Sequence, residues 1–126
     1  LNKKIVFVTL SESNNELKIS SLSDLKTAKT LLKTPFGGRI TFPHIMPDNS
    51  LRYAYKDPGK QEEFRSLNLK TKRSSILFKT SHINYIDYTN KEIKIIHEID
   101  EQKRIYSLKS KTNVIWLFLN SLFFWG

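Results

Sequence analysis

The sequence has no cysteine among its 126 residues, and it has only four glycines. Without cysteine, disulfide bonds, thiolate-ligated zinc, iron–sulfur clusters and a thiol nucleophile are excluded. The few glycines form no Gly-x-Gly-x-x-Gly element, no phosphate-binding loop and no Gly-x-Ser-x-Gly motif. Because those motifs carry dinucleotides, nucleoside phosphates and the serine of α/β-hydrolases, the residues predict no such enzyme and no cofactor.

Alanine is nearly absent, with 2 residues, whereas the chain contains 13 isoleucines, 3 valines and 9 threonines. Helices favour alanine, and strands favour β-branched and aromatic side chains. The composition therefore predicts an all-β fold. One segment, Leu22–Leu32, also fits a short helix that is capped by Ser23.

Acidic residues are few: 12 Asp and Glu stand against 21 Lys and Arg, which gives a net charge of +9. Arginine, the usual residue of specific phosphate and base contacts, is scarce, so a nucleic-acid partner is not expected. The pattern favours a solvated lysine-rich face, and a basic anion-binding surface is the alternative. The densest cationic patches are Lys70, Lys72 and Arg73 in one, and Lys103, Arg104, Lys109 and Lys111 in another.

Long hydrophobic runs are missing except near the end of the sequence. From Val114 to Trp125, 10 of 12 residues are apolar. A bilayer-spanning helix needs about 20 such residues, so the sequence predicts no transmembrane helix. We expect two buried strands separated at Asn120-Ser121, and a membrane-surface or partner-docking tail is the alternative. This apolar end is also a candidate surface for self-association.

Alternation of apolar and polar residues between turn signals predicts short strands along the whole chain. These are Ile5–Leu10, Leu17–Leu22, Lys29–Lys33, Ile40–Ile45, Leu51–Lys56, Phe64–Lys70, Ser75–Thr80, Ile83–Tyr88, Glu92–Ile99, Arg104–Lys109, Asn113–Leu119 and Leu122–Trp125.

The predicted strands repeat. Apolar strands open at Ile5, Leu51 and Ile93, which are 46 and 42 residues apart. Four short strands in a unit of about 40–45 residues are typical of a β-propeller blade. The spacing predicts a single propeller-like segment over residues 1–126 with units of about 5–50, 51–92 and 93–126. Since closed propellers have about 4–8 blades, three blades predict an incomplete propeller, and a β-sandwich is the alternative fold. Two further sets of strands repeat at similar spacings. One set opens at Leu17, Phe64 and Ile105, and the other opens at Leu31, Ile76 and Ile115.

The stretch Phe42–Tyr55 resembles the repeat of TolB-like (WD40-like) β-propeller proteins. In that repeat a proline is followed, after two residues, by Ser-Pro-Asp-Gly, two further residues and an apolar-Ala-aromatic strand. Pro47 and Asp48 match this pattern. Met46 replaces the serine and Asn49 the glycine. The resemblance implies a protein-binding propeller of the bacterial periplasm or cell envelope.

The same residues predict a tight turn between two antiparallel strands. Pro47 presets φ for the second turn position, Asp48 can accept backbone N–H bonds, and Asn49 tolerates the left-handed conformation. In the following strand, Leu51, Tyr53 and Tyr55 are expected to share one face. We interpret Pro47, Asp48 and Asn49 as structural residues and assign them no catalytic role.

Residues with catalytic potential are few. His44, His82 and His97 are 38 and 15 residues apart, which matches no local metal-ligand spacing, so no metal site is predicted. In principle, Glu62-Glu63 and Asp87 could serve as paired carboxylates of the kind that glycosidases use. Nothing in the sequence shows that they converge, so no residue is predicted to be catalytic.

The leading functional hypothesis is a non-enzymatic protein-interaction module, part of a larger protein, with a partner that the sequence does not name. Propellers bind partners through the loops that connect their strands, because the sheets supply a stiff frame. The alternatives are the propeller domain of a polysaccharide-active enzyme or peptidase, and a basic anion-binding surface protein.

Overall fold

The computed structural model describes residues 3–89 and 92–108, and it confirms the all-β prediction. The regular structure in these ranges consists of strands, and the ranges contain no helix long and apolar enough to cross a membrane. The strands are β1 (Lys4–Leu10), β2 (Asn15–Ser21), β3 (Asp24–Lys33), β4 (Arg39–Ile45), β5 (Ser50–Lys56), β6 (Glu62–Asn68), β7 (Ser74–Thr80), β8 (His82–Asp87), β9 (Ile93–Ile99) and β10 (Gln102–Leu108).

The strand predictions agree with the structure to within two residues at every boundary but one. The exception is β3, which begins at Asp24 instead of Lys29. The alternative helix over Leu22–Leu32 is therefore wrong. The segment instead pairs antiparallel with β2, from Glu16↔Lys33 to Ser21↔Asp24, with two register shifts between them. The predicted strands Asn113–Leu119 and Leu122–Trp125, like the apolar run Val114–Trp125, lie outside the described residues.

The strands form three small antiparallel sheets in which neighbours in sequence are neighbours in the sheet. Their orders are β1-β2-β3, β4-β5-β6-β7 and β10-β9-β8. The chain divides into two compact units, Leu1–His82 and Ile83–Gly126. Within the described residues, the first unit holds the first two sheets.

Each boundary between sheets falls one strand earlier than the boundary between the repeat units predicted from the sequence. The strand that closes the first sequence unit, β4, is hydrogen-bonded to β5 and so opens the second sheet. By position in their sheets, β1, β5 and β9 correspond, as do β2, β6 and β10. These matched strands start at residues 4, 50 and 93, which are 46 and 43 residues apart. Only the β4–β7 sheet shows all four strand positions within the described residues.

The core of the first unit lies between its two sheets. The predicted shared face of Leu51, Tyr53 and Tyr55 is confirmed, because all three side chains are buried in this core together with Leu17 and Ile40. Leu17 comes from β2, so the cluster joins both sheets. Truncating a fully buried leucine such as Leu17 or Leu51 to alanine costs about 2–5 kcal/mol, so this cluster contributes strongly to the stability of the unit.

Candidate functional site

Three loops of the first unit lie at the same end of its sheets. They connect β1 to β2 (residues 11–14), β3 to β4 (34–38) and β5 to β6 (57–61). The register pairs Leu10 with Asn15 in the first sheet and Arg39 with Lys56 in the second, so both sheets end here. We call these three loops the loop surface.

Buried hydrogen bonds fix the β3–β4 connection to the first sheet. The Asn15 backbone N–H donates to Thr34 Oγ1 at 2.9 Å, and the Thr34 N–H donates to the Asn15 carbonyl at 2.9 Å. The Asn15 side chain reaches into the next sheet, where its Oδ1 accepts the Ile40 backbone N–H at 2.8 Å. Because Asn15 and Thr34 are buried, losing one partner would leave a desolvated polar group unsatisfied.

Glycine lets the β3–β4 loop approach its two neighbours closely. The Gly37 N–H donates to the Ser13 carbonyl at 2.6 Å, which binds this loop to the β1–β2 loop. Gly37 has a φ of 80°, and a Cβ there would stand 2.9 Å from Pro58 Cγ in the β5–β6 loop. Only glycine suits both the backbone conformation and the close contact. The three loops therefore form one braced surface.

Phe36 is presented by this braced surface. It lies between Pro35 and Gly37, and 82% of its surface is exposed to solvent. Aromatic residues, phenylalanine among them, are enriched in the buried centres of protein interfaces, so an aromatic side chain carried outward on a braced loop is a candidate anchor. Phe36 is the strongest candidate binding residue of the described chain.

A buried carboxylate lies beneath the rim of the loop surface. Glu62 is only 1% exposed, and its two oxygens face Arg39 at 3.5 Å and His82 Nδ1 at 3.3 Å, whose side chains are each 46% exposed. Lys56 Nζ donates to the Lys60 carbonyl and closes the β5–β6 loop. The Glu62 carboxylate is thus buried, whereas the Arg39 and His82 side chains beside it reach solvent.

A tyrosine–arginine cluster supports the β5–β6 loop from within. The Arg65 guanidinium lies 3.9 Å from the Tyr55 ring centre, and it is held by Glu63 through contacts of 2.5 and 2.7 Å. Burial, followed by the hydrogen bond to Asp57, raises the pKa of Tyr55 to about 12. Burial also raises the pKa of Tyr53. Both phenols are neutral near pH 7 and serve as packing and hydrogen-bonding groups.

The Met46–Asn49 turn lies at the opposite end of β4 and β5. Asn49 has a φ of 65°, and its N–H donates to the Met46 carbonyl at 3.0 Å. Asp48 Oδ1 accepts the Ser50 backbone N–H at 2.9 Å and the Ser50 hydroxyl at 2.6 Å. These hydrogen bonds lower the pKa of Asp48. Pro47, Asp48 and Asn49 therefore shape a hairpin and take no part in the loop surface.

In the second unit, Asp87 accepts hydrogen bonds from Thr89 as Asp48 does from Ser50. Its Oδ1 accepts the Thr89 backbone N–H at 2.9 Å and the Thr89 hydroxyl at 2.5 Å, and these bonds lower its pKa. The two aspartates cap the turn after the first strand of their sheets.

Two of the candidate carboxylates, Glu62 and Glu63, lie on opposite faces of β6 and have separate partners. Adjacent residues of a strand point to opposite faces of the sheet. Glu62 is held by Arg39 and His82, and Glu63 by Arg65, with Lys79 Nζ 3.9 Å away.

The histidines and the basic patches are dispersed over different elements. His44 lies in β4, His82 beside Glu62 and His97 in β9, where it is buried. Within residues 3–89 and 92–108 no three His, Cys, Asp or Glu side chains are grouped so that they could hold a metal ion. Lys70, Lys72 and Arg73 form the exposed β6–β7 turn and Lys103 and Arg104 are exposed on β10, whereas Lys109 and Lys111 lie outside the described residues.

Sequence reasoning missed Phe36, Asn15 and Thr34. The pair Gly37-Gly38 predicts a loop, but the neighbouring Phe36 belongs to no alternating pattern of apolar and polar residues. An aromatic residue enclosed by proline and glycine is the feature that distinguishes Phe36 from a strand residue. The role of Asn15 depends on Thr34 and Ile40, which are 19 and 25 residues away, so no local pattern reports it.

Comparison with known proteins adds no relative. No protein-family model matches the chain, and the searches of curated proteins and of solved structures returned no match. The fold and the loop surface therefore provide the basis for a functional proposal.

Proposed function

We propose that the chain is a segment of a TolB-like β-propeller and that it binds a protein partner through the loop surface. The observation that carries the binding proposal is the exposure of Phe36 on a loop that Gly37 binds to Ser13 and packs against Pro58. A loop backbone that is already braced needs little further ordering on binding, so more of the contact energy appears as affinity.

The repeated sheet organisation supports the propeller. Each sheet is an antiparallel meander, and the strand that follows β3 or β7 opens the next sheet in sequence. The buried pair Asn15 and Thr34 has a counterpart in Glu62 and Thr80, which are register partners at the same end of the second sheet. A regular blade-like unit explains why buried polar pairs recur at these positions.

The loop surface carries charges of both signs, which favours a partner with polar groups around an apolar centre. Glu12 and Lys60 are exposed in its loops, and Arg39 borders it with 46% of its side chain exposed. An exposed aromatic anchor surrounded by polar and charged groups is the usual anatomy of a protein interface.

Site-specific photocrosslinking tests this function. A benzophenone amino acid placed at Phe36 is expected to give one discrete adduct in the cells that make the protein. The same group placed at Leu25, an apolar residue of β3 that is also well exposed at 60%, is the matched control. An adduct from position 36 alone supports the proposal. Identical adducts from both positions, or none from position 36, contradict it.

A further inference from the structure

Charged residues are divided unevenly between the two ends of the strands of the first unit. When the connecting loops are taken with the three nearest residues of each strand, the loop-surface end has five cationic and five acidic residues. The opposite end, which contains the turns at residues 22–23, 46–49 and 69–73, has six cationic and two acidic residues. We call this opposite end the basic end. Its charged residues are Lys4, Lys26, Arg52, Lys70, Lys72 and Arg73, with Asp24 and Asp48.

The cations of the basic end are not neutralised by the fold. Near the loop surface, Glu62 and Glu63 pair with the side chains of four basic residues. Within residues 3–89 and 92–108, no cationic residue of the basic end forms such an ion pair. Its two aspartates, Asp24 and Asp48, accept backbone N–H groups instead. Like charges that are left unpaired repel one another, and a partner that brings negative charge removes this cost.

The turn at residues 69–73 holds three of these cations in a fixed arrangement. Asn68 Oδ1 accepts the backbone N–H groups of Lys70 and Thr71 at 2.9 and 3.1 Å. The Lys72 N–H donates to the Asn68 carbonyl at 2.8 Å. Lys72 has a φ of 62°, a conformation that glycine or asparagine adopts at less cost. The side chains of Lys70, Lys72 and Arg73 are all exposed, so the turn presents three positive charges to solvent.

The matching turn of the first sheet adds an aliphatic side chain. Because β2 and β6 occupy the same position in their sheets, the turn at 22–23 corresponds to the turn at 69–73. Leu22 is 54% exposed in this turn, and its N–H donates to the Lys3 carbonyl at 2.8 Å. Lys4 and Lys26 are exposed on the neighbouring ends of β1 and β3. Aliphatic side chains among lysines are typical of surfaces that lie against a lipid bilayer.

The composition of the basic end favours a bilayer over nucleic acid. Its turns and flanking strand residues contain no Phe, Tyr or Trp, the side chains on which bases stack. Only two of its six cations are arginine, the usual residue of base contacts. Lysine is a compact point charge, and it is attracted to anionic headgroups without a fixed geometry.

We propose that the basic end is a docking surface for an anionic lipid bilayer. The cations of its turns lie against headgroup phosphates, and Leu22 enters the boundary between the headgroups and the acyl chains. Charge and one apolar contact act together, because either alone gives weak and reversible membrane binding. The basic end shares no residue with the loop surface, which lies at the other ends of the same strands and stays accessible to its partner.

Vesicle co-sedimentation of the full chain tests the proposal. The probes are vesicles of phosphatidylglycerol and phosphatidylcholine in equal parts, and vesicles of phosphatidylcholine alone. We expect the chain to bind the anionic vesicles at least about ten-fold more tightly than the neutral ones. This preference should disappear as salt is raised from about 0.1 M to about 1 M, because the Debye length falls from about 10 Å to about 3 Å. Equal binding to both kinds of vesicle contradicts the proposal.

Two pairs of lysines separate the basic end from net charge. Lys70→Gln with Lys72→Gln removes two exposed lysines of the basic end, and Lys29→Gln with Lys33→Gln removes two exposed lysines of β3 that lie outside it. We expect the first pair to weaken binding to anionic vesicles at least about ten-fold and the second pair less than about three-fold. Equal losses contradict docking through the basic end.

Leu22→Ser separates a bilayer from a soluble polyanion. This variant should weaken binding to anionic vesicles at least about five-fold, because the leucine enters an apolar phase. It should leave elution from a heparin column unchanged, since heparin offers charge without an apolar phase. Unchanged vesicle binding contradicts docking to a bilayer and favours a soluble polyanion such as nucleic acid. An equal loss in the two assays also contradicts insertion of Leu22.

Discussion

Asn15 and Glu62 occupy the same position in two successive sheets. Asn15 begins β2 after the 11–14 loop and lies opposite the buried Thr34. Glu62 begins β6 after the 57–61 loop and lies opposite the buried Thr80. Both are buried polar residues. Asn15 uses its side chain to accept the first buried N–H of the next sheet, that of Ile40. Polar residues are costly to bury unless they are hydrogen-bonded, so a recurring buried pair marks a structural requirement of the repeat.

Removing the Asn15 side chain should destabilise the first unit. Asn15→Ala leaves the buried Ile40 N–H without its acceptor, and we expect a loss of about 2–3 kcal/mol in the free energy of unfolding. Chemical denaturation measures this. Asn14→Ala, which alters only a solvent-accessible turn, is the control and should cost no more than about 0.5 kcal/mol. Equal losses for the two variants would show that Asn15 does not join the sheets.

Gly37 and Gly59 provide a matched pair for the bracing of the loop surface. Both have positive φ, at 80° and 74°, but a Cβ at Gly37 meets Pro58 at 2.9 Å, whereas a Cβ at Gly59 meets nothing within 4 Å. Gly59→Ala should cost about 1 kcal/mol from backbone strain alone. Gly37→Ala should cost clearly more in the same thermal melts, because the 34–38 loop must also move off Pro58. If Gly37→Ala and Gly59→Ala cost the same, the close contact with Pro58 does not oppose the added Cβ.

Acidification should weaken the two aspartate-capped turns. The pKa of Asp48 and that of Asp87 are lowered from 3.8 by hydrogen bonds from Ser50 and Thr89. A lowered folded-state pKa means that the carboxylate stabilises the turn above the unfolded value and loses this effect as the pH falls below it. Carboxyl titration by NMR should place both groups below 3.8. Ser50→Ala should raise the pKa of Asp48 and leave the pKa of Asp87 unchanged. A shift of both pKa values would show that the two turns are not independent.

His97 should make the second unit sensitive to mild acid. Burial, followed by the charge of Arg104 across the ladder, lowers the pKa of His97 from 6.5. Since the unfolded chain then takes up a proton more readily than the folded one, the free energy of unfolding should fall as the pH drops below 6.5. His97→Phe should flatten this dependence in denaturation curves at pH 5 and 7. His44→Phe is the control, and an equal flattening by both variants would exclude His97 as the cause.

Strand positions could be predicted from the sequence because alternation and turn residues are local signals. Ile40–Ile45 and Leu51–Lys56 agree with β4 and β5 to within one residue at each boundary. The start of β3 was missed because Asp24–Ala28 has little apolar alternation, and its strand structure depends on pairing with β2. Phe36 and Asn15 were missed for a related reason: exposure on a braced loop and a hydrogen bond 25 residues away are properties of the folded chain.

The affinity for the crosslinked partner tests most directly the central claim, that Phe36 on the loop surface binds a protein partner. With the partner of position 36 identified and purified, isothermal titration calorimetry compares the unaltered chain with Phe36→Ala and Leu25→Ala. Truncating a residue at the energetic centre of an interface costs about 2 kcal/mol or more, so Phe36→Ala should weaken binding by about thirty-fold, while Leu25→Ala should change it less than about two-fold. Equal affinities of both variants and the unaltered chain would contradict a protein-binding role for the loop surface.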